Sequence, residues 1–117
     1  MSTKEIEVGG SLNELFEMLS HGHRRRVLVA VGRQNPQDDE DIASESVAER
    51  DERGDDEALD SVQQQLYHAH LPKLAEAGFI DWNRDSGVIT RGPRFEEIEP
   101  LLRLMSDHED ELPDGWP

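Results

Sequence analysis

The sequence predicts a mainly α-helical domain with a small β-hairpin. Two observations carry this expectation. Apolar residues recur at helical spacing in several stretches, and one pair of short alternating runs, Phe79-Ile80-Asp81-Trp82 and Val88-Ile89-Thr90-Arg91, flanks the turn-rich Asn83-Arg84-Asp85-Ser86-Gly87. At 117 residues there is room for one domain around one core.

Residues 1–10 show no periodic pattern and end in Gly9-Gly10, which reads as a mobile tail. Ser11 and Glu14 form a capping box, after which Leu12, Leu15, Phe16 and Leu19 trace a first helix over about 12–20. The run Val27-Leu28-Val29-Ala30-Val31 suits a buried strand or a buried helix equally, and spacing leaves both open. The chain then turns acidic from Asn35 to Asp41, around Pro36. Ile42, Ala43, Val47 and Ala48 mark a short amphipathic helix with Asp41 as N-cap. A second acidic connection, Asp51 to Glu57 with Gly54 inside it, leads to a long helix with Leu59, Leu66, Tyr67, His70, Leu71 and Leu74 on one side. That helix stops at Gly78, a C′ glycine. Pro72 lacks the N–H that would reach the His68 carbonyl, so a kink or a fresh turn is expected there. The hairpin follows. Phe95, Ile98, Leu101, Leu102 and Met105 form the last helical stripe, with Pro93 near its start and Pro100 either kinking it or opening a second piece. The domain therefore spans 11–107, and the acidic, Pro- and Gly-containing 108–117 reads as a frayed, flexible tail.

Charge is the most informative global property. Twelve basic residues face 27 acidic ones, a net charge of -15, and only Lys4 and Lys73 are lysine. Such a surplus suits disorder, an acidic interaction tail or a surface adapted to molar salt. Apolar periodicity persists between the acidic stretches and favours the halophilic reading. At about 1 M salt the Debye length is only about 3 Å, so self-repulsion is screened and folding should depend on salt. Residues 20–34 and 61–94 escape the acid, and a surface facing a polyanion must come from them. The absence of cysteine excludes disulfides and thiolate metal sites and suits a reducing interior. No apolar run approaches the roughly 20 residues of a membrane span, and no signal-peptide pattern opens the chain, so a cytoplasmic protein without membrane contact is expected.

The order helix, helix, helix, long helix, hairpin, helix is that of a winged helix-turn-helix. Met18-Leu19-Ser20-His21-Gly22-His23-Arg24-Arg25-Arg26-Val27-Leu28 resembles the start of the second helix in arsenical-repressor-type regulators. Leu66-Tyr67-His68-Ala69-His70-Leu71-Pro72-Lys73-Leu74-Ala75-Glu76-Ala77-Gly78-Phe79-Ile80 resembles the end of their recognition helix and the step into the first wing strand. With its acidic surface, the form His-Leu-Pro-Lys-Leu is similar to a haloarchaeal winged helix-turn-helix domain family of unassigned function. The resemblance covers about residues 11–91. It implies a helix at Val27 and a DNA-binding regulator, without the metal-ligand pattern of the metal-sensing members.

On that fold the recognition helix would turn Ser61, Gln65 and His68 outward, with Gln64 at the margin, and glutamine can bond the N6 and N7 of adenine. Arg84 at the wing tip, with Arg91, Arg94 and Lys73 nearby, would hold phosphates. Arg24, Arg25 and Arg26 point about 100° apart on a helix, so they cannot share one strand, and at least one should pair with the acidic connections. His21 with His23, and His68 with His70, form His-x-His pairs that diverge on a helix and cannot chelate from one face; His70 fits a core histidine with a satisfied nitrogen. No phosphate loop, nucleophile elbow or isolated carboxylate pair indicates an enzyme, and no metal or other cofactor is implied. Leu101, Leu102, Leu104 and Met105, with Leu12 and Phe16 on the first helix, offer apolar surface for a homodimer. The expected function is a homodimeric transcriptional regulator that binds double-stranded DNA. The alternative is a protein-interaction module that keeps the fold without DNA.

Overall fold

The computed structural model describes residues 12–50 and 56–117. Along the chain run α1 (12–18), α2 (Gly22–Arg33), β1 (Gln37–Asp38), α3 (Asp39–Arg50), α4 (Asp56–Gln65), a π-helical turn (Leu66–His70), α5 (Leu71–Ala77), β2 (Ile80–Asn83), β3 (Val88–Arg91), α6 (Phe95–Asp107) and a 3₁₀ turn (Glu109–Glu111). The strands form an antiparallel sheet in the order β1-β3-β2, with Trp82 opposite Ile89 and Gln37 opposite Ile89 from the other side. This is a winged-helix arrangement: α2, α3 and the α4–α5 segment build the helical part, and β2–β3 is the wing. The expected N-terminal tail, Ser11 of the capping box, the side chains of Val47 and Ala48, and Asp51 to Asp55 of the second acidic connection lie outside the described residues.

Val27, Leu28 and Val31 are fully buried on α2, so the β-branched run is helical. They pack with Leu66, Leu71 and Leu74 from the long helical segment, Phe79, Ile80 and Ile89 from the sheet, and Phe95 and Ile98 from α6. Tertiary packing settles what local propensity left open.

Several boundaries differ from expectation for identifiable reasons. Helix α3 begins three residues earlier than expected because Asp38, not Asp41, caps it: the Asp38 carboxylate accepts from the amides of Glu40 (2.9 Å) and Asp41 (3.3 Å). Strand β1 has only two residues and owes its existence to pairing with β3. Asp56 and Glu57 belong to α4 rather than to a connection. Helix α6 runs unbroken through Pro100, and the carbonyl this proline cannot serve belongs to exposed Glu96. Residues 108–117, expected to fray, instead make the 3₁₀ turn and return, so that Trp116 packs on the core and its indole N–H donates to Ser106 Oγ (3.3 Å).

Gly78 closes α5 as expected, at φ 90°, with its amide on the Ala75 carbonyl and that of Phe79 on the Leu74 carbonyl. Gly92 sits where the chain leaving β3 crosses the start of β2. A Cβ there would lie 2.5 Å from the Gly78 carbonyl oxygen, so no other residue fits.

Candidate functional site

The long helical segment that would serve as a recognition helix holds its register past Pro72 by widening into a π turn. The Leu71 amide bonds the Leu66 carbonyl, five residues back. In that register the carbonyl orphaned by Pro72 is that of Tyr67 rather than His68. Arg84 supplies the missing donor: from the wing tip its Nη2 donates to the Tyr67 oxygen at 2.7 Å, while its guanidinium lies 4.7 Å from the Trp82 ring centre. The proline thus makes the docking point for the wing.

A single carboxylate fixes helix and wing together. Asp39 is 6% exposed. Its Oδ1 accepts from the Tyr67 hydroxyl (3.2 Å), its Oδ2 from the Trp82 indole N–H (3.1 Å), and its amide donates to the Gly87 carbonyl (2.9 Å). Burial, then the charge and hydrogen bond of Asp39, push the Tyr67 phenol up to about 12, so it remains a donor across the neutral range. Gly87 has φ 79°, and a Cβ would lie 3.1 Å from Asp39 Oδ1, so a side chain there is strained by backbone and neighbour alike. Asn83 Oδ1 holds the turn by accepting from the Asp85 and Ser86 amides.

Ser61, Gln64, Gln65 and His68 are all exposed, so the four helix positions named from sequence lie on the outer surface, and His68 shares a cleft with Arg84. The other basic positions are placed differently. Arg94 forms a two-pronged pair with Glu14 (2.7 and 3.1 Å), bonds both carboxylate oxygens of Glu97 (2.9 and 3.0 Å) and donates to the Ala77 carbonyl; these carboxylates raise its pKa. Arg91 donates to the carbonyls of Val31 (3.2 Å) and Gly32 (2.8 Å) and lies 5.3 Å from the Phe95 ring centre. Lys73 stands 3.5 Å from Glu17. The expectation that Arg91 and Arg94 are poised for phosphate is therefore corrected, since their donors are committed away from the wing tip, whereas the exposed Lys73–Glu17 pair does not withhold that lysine from a competing anion.

Two members of the arginine run serve the end of helix α1, whose last carbonyls lack donors within the helix. Buried Arg24 donates to the carbonyls of Met18 (3.0 Å) and Glu17 (2.8 Å), to Ser20 Oγ and to His70 Nδ1 (3.1 Å), and Arg25 reaches the Leu19 carbonyl. Burial is the main cause lowering both pKa values. With Arg91 donating to the end of α2 and Arg94 to the end of α5, arginines thus serve the C-terminal carbonyls of three helices.

The His70 expectation holds, since its Nδ1 bonds Arg24 and it is 7% exposed. Sequence reasoning missed its company. His21 lies before α2, in extended conformation as N-cap, so its ring escapes helical divergence and packs 5.1 Å from His23 and 4.1 Å from His70. Burial, and then the charges of His21, Arg24 and His23, lower the His70 pKa to about 4. Among the described residues no group of three or more His, Cys, Asp or Glu side chains is arranged to hold a metal ion, and no helix is long and apolar enough to cross a membrane.

The cleft between the π turn, the start of α3 and the wing is acidic, a feature overlooked in reading the chain linearly. Asp38, Glu40 and Asp85 line it with Tyr67, His68 and Arg84. On the dimer candidates, Leu12, Phe16 and Leu104 are about half exposed, Leu101 and Met105 are partly buried, and Leu102, at 5% exposure, is a core residue unavailable to a partner.

Fold and site define a winged-helix domain with an exposed polar helix face. The chain belongs to DUF7344, a domain of unknown function, which matches residues 16–90 and so covers α2 through most of the wing but not α6. No curated protein and no solved structure matches it.

Proposed function

We propose that this domain reads duplex DNA as a transcriptional regulator, with the face of Ser61, Gln64, Gln65 and His68 in the major groove and Arg84 on a flanking phosphate. The observation that carries the reading is that Arg84 is bonded directly to the helix presenting that face, so one base-reading surface and one phosphate anchor form a single unit. The resemblance to arsenical-repressor-type regulators supports it. A second copy docked through exposed Leu12, Phe16 and Leu104 would set two such helices on successive turns of a duplex, making the working unit a homodimer in a salt-rich cytoplasm. With one anchor per domain, non-specific affinity is weak, and specificity rests on base contacts.

Selection of bound fragments from genomic DNA at molar KCl tests this directly. One duplex sequence should be enriched, and Gln65→Ala should erase the preference. A second reading draws on the acidic cleft of Asp38, Glu40 and Asp85, which suits a basic partner protein. Failure of any duplex to compete better than random DNA would hand the face to that partner.

A further inference from the structure

We propose that a cavity between α2 and α6 binds a small apolar anion, of the size of a single ring bearing a carboxylate. The cavity measures about 190 Å³, and Leu28, Val29, Gly32, Phe95 and Leu102 form its apolar wall. A dry cavity of about 150 Å³ suffices for benzene, whereas drug-sized ligands occupy roughly 300 Å³ or more, so a nucleotide is too large.

The rim supplies the sign of the ligand. Arg33, in the last turn of α2, and Arg103, on α6, both line the cavity and both are exposed, so their guanidinium groups are within side-chain reach of its mouth. No hydrogen bond or ion pair engages Arg33 among the described residues. Arg103 has only a long 3.7 Å approach to Glu99, an exposed pair too weak to exclude a competing carboxylate. Two guanidinium groups against one carboxylate leave the rim positive in a chain of net charge -15. Bidentate bonding of a carboxylate by arginine acts at short range and survives salt better than long-range attraction. A cation would meet repulsion at the mouth, and a neutral ring would gain the apolar wall alone.

The same wall touches the wing. Phe95 and Gly32 are also the groups that Arg91 of β3 stacks on and bonds, so an occupant pressing on them reaches the strand directly. This site is independent of whether the domain reads DNA, and its test needs no duplex.

The probe is benzoate, titrated into the ¹⁵N-labelled full chain in high-salt buffer, with benzylamine and benzyl alcohol as controls. Saturable amide shifts are expected at Gly32, Phe95 and Arg103 and, through the wall, at Arg91. Benzoate should bind at least tenfold tighter than benzyl alcohol, and benzylamine should not bind. Arg33→Gln with Arg103→Gln, both at exposed positions, should weaken benzoate at least tenfold while leaving the unligated spectrum folded. Non-saturating shifts, equal binding of benzylamine, or unchanged benzoate affinity in the double variant would overturn the site.

Discussion

Arg24 and Arg84 hold the Leu66–His70 turn from opposite sides, and the two sides use the same residue type for different ends. On the inner side Arg24 is 8% exposed, and its donors are committed to two carbonyls, a serine hydroxyl and His70. On the outer side Arg84 is exposed, with one hydrogen bond to the Tyr67 carbonyl and one aromatic face beneath it. The inner arginine is scaffold, and the outer one keeps donors facing solvent. Arg91 and Arg94 belong with Arg24, although in sequence they flank the same hairpin as Arg84.

The largest effect should come from the inner side. Arg24→Ala leaves the Met18 carbonyl and His70 Nδ1 without their donor in a buried setting and takes one of three donors from the Glu17 carbonyl, and should cost about 3 kcal/mol in urea unfolding at fixed molar KCl. A loss under about 1 kcal/mol would remove the distinction between the two sides.

A smaller effect, confined in pH, should come from its partner. His70 has its pKa lowered to about 4 in the folded protein against 6.5 when unfolded, so the unfolded chain binds more protons in between. The stability this group contributes is fully present above about pH 6.5 and is lost as pH falls toward about 4. His70→Gln retains an acceptor for Arg24 but cannot titrate, and its melting temperature should fall less steeply across that window. Parallel curves for the two proteins would show that another group drives the slope.

The smallest change in stability should come from the outer side. Arg84→Ala exposes the Tyr67 carbonyl to water rather than burying it, and should cost roughly 0.5 kcal/mol or less. Yet the same substitution should weaken binding of the selected duplex uniformly across sequences, as read by gel shift or anisotropy, because a phosphate anchor carries no sequence information.

The wing was legible because Phe79–Trp82 and Val88–Arg91 alternate around a run of turn formers whose local bonding fixes the loop. The outward helix face was legible from helical arithmetic. Strand β1 was not, since two residues carry no pattern and its partner lies 50 residues away in β3. Nor was the direction of Arg94 legible, because Glu14, which it meets, is 80 residues distant in the chain. The histidine cluster is hidden for a local reason: helical divergence does not hold for His21, which sits in extended backbone just before the helix. In each case the missing information was a contact between elements rather than a propensity within one.

The habit of placing guanidinium groups on helix-end carbonyls bears on how the chain should respond to concentrated electrolyte. Dissolved ions compete effectively with a charge facing a charge, but far less with a donor seated against a neutral peptide oxygen a hydrogen bond away. Adding potassium chloride therefore quiets the mutual aversion of the carboxylates without loosening the fastenings at the ends of α1, α2 and α5, and the brine acts on one side of the balance only.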